Sequence, residues 1–204
     1  MESIFTEFNA GMEHIYNTFF ISFLALKPFQ EKPFLKDYII PIKGLAHNRL
    51  EASQLNALGE DSIIEYLNAI KRHTLNDIVI CYERYATLMI TSHENSKIRK
   101  EVAVDDNRHI NSSVFEKLEN LYSDSDLIFF QQLKRLRNSL VHYNAVYNKA
   151  NKLDYVFFNS RVLSEGHEGE NIVIDLDSVV WIHEQVVAKV KNINLKYHSL
   201  YFNK

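Results

Sequence analysis

The chain has one cysteine, Cys81, in 204 residues. A single cysteine cannot close an intramolecular disulfide, and a reducing, cytoplasmic setting is expected. Glycine (5) and proline (3) are scarce too. These residues build tight turns, so their shortage argues against a fold of many short strands and for long helices. Long apolar runs are missing. The most apolar stretch, Thr18 to Leu26, falls well short of the roughly 20 residues that cross a bilayer. The start, Met1-Glu2-Ser3, lacks a positive segment, and Glu7 and Glu13 interrupt the apolar residues that follow. No secretion signal and no membrane partner are therefore expected.

An excess of positive charge is also lacking. Lysine and arginine number 23 against 26 acidic residues, for a net charge of −3. Proteins that hold nucleic acid by their general field are normally basic. Any RNA contact here must be local. There is no glycine-rich phosphate loop, dinucleotide fingerprint or paired-cysteine zinc pattern. His183-Glu184 begins like a zinc-protease helix, but Val187 stands where the second ligand belongs. His167-Glu168-Gly169-Glu170 reads as a solvated turn rather than a metal site. No metal and no cofactor are expected. Cys81 falls on a core face and reads as a structural thiol.

What the sequence does have is apolar residues, 46% of the total, and helical periodicity. Residues 2 to about 26 keep Ile4, Phe8, Ile15, Phe19, Phe23 and Leu26 on one side. Pro28 and Pro33 are expected to end this helix. Residues 34 to 45 are ambiguous, and 47 to 60 suggest a helix fragment or ordered loop. Residues 62 to 92 form the longest regular stretch, opened by a Ser62–Glu65 capping box. One face holds Ile63, Leu67, Ile70, Thr74, Ile78, Cys81, Tyr85 and Leu88; a second holds Leu75, Val79, Ala86 and Ile90. A helix apolar on two sides belongs in the middle of a bundle. Glu83 lies within the second stripe, where an unpaired carboxylate is costly. It needs a cation or hydrogen-bond donors.

Residues 94 to 112 are polar and read as a loop. Ser113 and Glu116 suggest a short helix to about Tyr122, and Ser123-Asp124-Ser125-Asp126 a linker and N-cap. Tyr155 to Phe158 and Ile172 to Ile174 suggest a two-stranded hairpin, an insertion at about 153–175. Asp177 is expected to cap a last helix with Val180, Ile182, Val186, Val190, Ile193 and Leu200 inside. The sum is one all-α domain, 1–204, with a small β-hairpin insertion near the C-terminal helix.

Residues 126 to 147 carry the most specific pattern. Phe129, Leu133, Leu136, Leu140, Tyr143 and Tyr147 recur at the spacing of one buried helix face. Gln131, Arg135, Asn138 and His142 make a polar face, and Arg137 lies at the border. From Arg137 to His142 is five residues, about 140° round the helix. Lys134, Arg135 and Arg137 give a local positive patch. Lys134 and Arg135 suit phosphate binding or, more plainly, a solvated face.

The run Arg137-Asn138-Ser139-Leu140-Val141-His142 resembles the R-x4-H motif of the HEPN superfamily. Cys81-Tyr82-Glu83-Arg84 is similar to the acidic region on an earlier helix of that family, which makes Arg137 the candidate partner of Glu83, with Arg84 or solvent the alternative. The resemblance implies a helical bundle, usually a homodimer, whose members include metal-independent endoribonucleases acting as toxins or defence effectors against phage. It implies His142 as acid or base, Arg137 as stabiliser of the transition state, Asn138 as an orienting group and Glu83 as support. It also implies a second histidine from the other protomer. Other members are catalytically inactive modules that bind a nucleotide or a partner protein, such as an antitoxin.

Overall fold

The computed structural model describes residues 2–31, 60–91, 121–142, 145–146, 169, 172 and 174–202. Each of the four periodic stretches with a one-sided or two-sided apolar pattern is a helix there: α1 Glu2–Glu31, α2 Glu60–Thr91, α3 Asp124–His142 and α4 Leu176–Phe202. The described part is thus all-helical. No helix among the described residues is long and apolar enough to cross a membrane.

α2 packs against each of the other three helices, and α1 also meets α4. This central place follows from its two apolar faces. Leu75, Ile78, Val79, Tyr82, Tyr85, Ala86 and Met89 are all buried. The Tyr82 ring stacks on Phe130 of α3 with centroids 4.1 Å apart, and its hydroxyl meets that of Tyr122. Tyr85 lies against Phe8 of α1. From α4, His183 Nε2 reaches the Met12 carbonyl at 3.0 Å, and its ring packs on Tyr16. His183 is thus a packing residue between α4 and α1. Met12 is buried beside Phe8 and Phe19; it sits four residues beyond Phe8, one turn along the same face.

Three expected boundaries are corrected. α1 runs through Pro28 to Glu31. Proline loses its own amide bond and its ring crowds the carbonyl four residues back, and the helix ends within one turn of Pro28. α2 starts at Glu60, which puts Ser62 inside the first turn and not in front of it. α4 is capped by Asp175, not Asp177: the Asp175 Oδ1 accepts the Ser178 amide at 2.6 Å. Asp175 is the residue just before the helix, three before Ser178, which is the spacing an N-cap needs.

The expected elements at 34–45, 47–59, 94–112 and 113–120, and the first hairpin strand at 155–158, lie outside the described residues. Of the second hairpin strand, Ile172 and Ile174 are buried. The Ile172 amide donates to the Ala145 carbonyl at 2.7 Å, so this segment is tied to the chain just beyond α3.

Candidate functional site

The site is built on α3, and its N-terminus fixes where that helix lies. Ser123 is the N-cap, as expected. Its Oγ accepts the Asp126 amide at 3.2 Å and donates to Asp126 Oδ2 at 2.6 Å. Asp126 returns the contact to the Ser123 amide at 3.3 Å. This is a capping box with aspartate in the third helical position. Asp126 Oδ1 also accepts from Lys189 Nζ of α4 at 2.7 Å, and the ammonium stands 5.1 Å from the Phe129 ring. Burial would raise the Asp126 pKa, but the bonds from Lys189 and Ser123 outweigh it and hold the carboxyl below its ordinary range.

From this anchor the two faces separate as the periodicity requires. Phe129, Leu133, Leu136 and Leu140 are buried. Gln131 and His142 are exposed, while Lys134, Arg135, Arg137 and Asn138 are half-buried. Tyr143 and Tyr147 lie outside the described residues. From Leu127 to His142 the sequence carries no acid, so the open face of α3 is uniformly neutral or positive.

Arg137 is held from two sides. Its Nη2 lies 3.5 Å from Glu83 Oε2, and its Nη1 donates to Asn138 Oδ1 at 3.0 Å. Its Nε is buried with no hydrogen-bond partner among the described residues. Arg137 is thus the partner of Glu83. Arg84 turns the other way and pairs with Glu7 of α1. Glu83 lies in the apolar stripe as expected but is only partly buried. Its side chain keeps 24% of its exposure, and that of Arg137 keeps 22%, because Glu83 stands at the edge of the α2 stripe.

His142 is the last residue of α3. Among the described residues it makes no hydrogen bond or ion pair. The structure therefore brings Arg137, Asn138 and Glu83 together and leaves His142 on the same helix but out of their contact. Cys81 is half-buried against the Phe8 carbonyl, and burial pushes its thiol pKa up, as suits a structural thiol. No cluster of metal-ligating side chains occurs among the described residues.

Sequence reasoning missed Lys189, which is unremarkable on its own helix and lies 63 residues from Asp126. Comparison of the chain with family models, with curated proteins and with solved structures gives no match.

Proposed function

We propose that the chain is a metal-independent endoribonuclease of the HEPN type, acting as a toxin or phage-defence effector. The observation that carries the reading is Arg137: a half-buried guanidinium, gripped by Glu83 and Asn138, on an acid-free helix face that ends in His142. A fixed planar fork of donors is what a phosphate in flight needs. In the reaction, the RNA 2′-oxygen attacks the adjacent phosphorus as a base takes its proton. The bond from phosphorus to the 5′-oxygen breaks, and an acid protonates that oxygen. The products are a 2′,3′-cyclic phosphate and a free 5′-hydroxyl. Histidine can serve as base or acid at neutral pH; His142 takes one role and a second copy's His142 the other. Arg137 stabilises the charge on phosphorus, Asn138 orients, Glu83 holds Arg137, and Lys134 and Arg135 meet flanking phosphates.

The test is cleavage of end-labelled RNA in excess EDTA. Activity should persist, with cyclic-phosphate ends, and His142→Ala should lower the rate by roughly 10²–10⁴. Loss of cleavage in EDTA, restored by a divalent ion, would refute the mechanism.

One observation favours a second reading. Arg137 is already engaged, and His142 does not touch it. A catalytically inactive module that binds a nucleotide or a partner protein through the same face would need only the cations. Under that reading His142→Ala leaves ligand binding intact and no RNA is cut by either form.

A further inference from the structure

A groove of about 590 Å³ runs between α1 and α2. Its floor is apolar and low, made by Phe8, Gly11, Ile15 and Cys81. Gly11 keeps it low, since a Cβ there would stand 2.9 Å from the Cys81 sulfur. Ile80 stands on the rim with 48% of its surface exposed.

The rim of α2 has a regular order. His73, Asp77, Ile80, Arg84 and Thr87 are all exposed, and they follow one another at steps of four and three. They lie along one exposed face of α2, polar at every step but Ile80. The face is also self-complementary. Asp77 lies three residues before Ile80, and Arg84 three after Cys81. When two α2 helices run antiparallel about a point between 80 and 81, each Asp77 faces the other copy's Arg84, and Ile80 faces Cys81. Such reciprocity is what a two-fold interface demands. Arg84 already meets Glu7, but that pair is open, with 69% and 53% of the side chains exposed. A guanidinium has donors enough for both carboxylates.

We propose that α2 pairs antiparallel with α2 of a second copy of this chain, with each Ile80 seated over the other copy's α1–α2 groove and Asp77 paired to Arg84 across the axis. The contact deepens the reading above. Cys81 and Glu83 turn to opposite sides of Ile80, about 100° one way and about 60° the other. A two-fold perpendicular to the paired helices keeps both α1 helices on one side of the seam. It keeps both Glu83–Arg137 pairs on the other side, close to the axis. The contact supplies the second copy of the chain that cleavage calls for. The contact itself requires neither RNA nor activity, so its failure and the failure of the nuclease reading are told apart by measuring assembly without RNA.

The experiment is sedimentation equilibrium of the full chain. The wild type should be a dimer. Asp77→Arg and Arg84→Asp each set like charges opposite one another twice per dimer, and each should raise the dimer Kd by about tenfold or more. The double exchange should bring it back toward the wild-type value. Ile80→Arg should yield a monomer. Cys81 is the one thiol in the chain, and paired helix axes lie about 8–10 Å apart. A short bismaleimide should therefore link wild-type chains into covalent dimers and fail on Ile80→Arg. A monomeric wild type overturns the proposal, as do single reversals without effect or a double exchange no better than either single.

Discussion

Replacing Lys189 by methionine should loosen α3 from α4 and cost the protein stability in a pH-dependent way. The ammonium meets Asp126 Oδ1 at 2.7 Å, and the two side chains keep only 17% and 12% of their exposure. Removing one member of a buried pair costs about 3–5 kcal/mol, because the other charge stays buried. Here the Ser123 hydroxyl and amide still serve the carboxylate, and some solvent reaches it. About 2–3 kcal/mol is the expected loss, to which the cation over the Phe129 ring adds about 0.5–1 kcal/mol. Methionine keeps the apolar stem, so packing changes little. For a chain of this size the melting temperature should fall by roughly 5–16 °C.

The sign with pH follows from Asp126. Its folded pKa is lowered, so its contribution is present above the unfolded carboxylate value of about 3.9 and is lost as pH falls through the folded value. The gap between wild type and Lys189→Met should thus be full at pH 7 and close below about pH 4. Urea unfolding followed by circular dichroism measures it. Asp126→Asn alone should be costly, and the double variant Asp126→Asn/Lys189→Met should cost less than the two singles added. Strict additivity, or a gap that persists unchanged at pH 3, would refute the coupling.

Two further outcomes are expected. Glu83→Gln should cost about 1–2 kcal/mol, between the values for exposed and buried ion pairs, while Glu13→Ala, at an exposed site of α1, should leave the urea midpoint unchanged. Gly11→Ala should destabilise by about 1–2 kcal/mol despite alanine's better helix propensity, because its Cβ meets the Cys81 sulfur. Adding Cys81→Ala should reverse that sign, leaving the double variant at least as stable as Cys81→Ala alone.

The helices were legible in the sequence because burial imposes its period on them. The stripe at Phe129, Leu133, Leu136 and Leu140 maps directly onto the buried face of α3. The two-sided pattern of α2 maps onto its central place. The Ser123 cap was legible because its hydrogen bonds are local. Boundaries were less so. Asp175 and Asp177 are both acceptable caps by residue type, and only the start of the helix decides between them. Pro28 signals an end by chemistry, yet it does not name the last residue, and the helix closes three residues beyond it. That Glu83 needs a partner could be reached from the cost of a carboxylate in an apolar stripe, and the motif resemblance pointed to Arg137. The Asp126–Lys189 pair could not, since neither residue breaks the pattern of its own helix and the contact exists only once α3 and α4 are side by side.

The same accounting of donors bears on how a chain of net charge −3 would grip a phosphate. A guanidinium has five N–H groups. In Arg137 the Nε is buried, one terminal nitrogen serves Asn138 and the other turns to Glu83. The guanidinium is thus restrained from two sides. That costs affinity, since Glu83 cancels the charge locally and an incoming phosphate must approach a carboxylate. It favours specificity of position, since the orientation entropy of a long side chain is lost before the phosphate arrives. On the proposed reading the attraction comes from elsewhere on the same face, from Lys134 and Arg135 within one turn of Arg137. Orientation and attraction would then be divided between different residues. A uniformly basic protein would not need that division, and a net-acidic one working on RNA does.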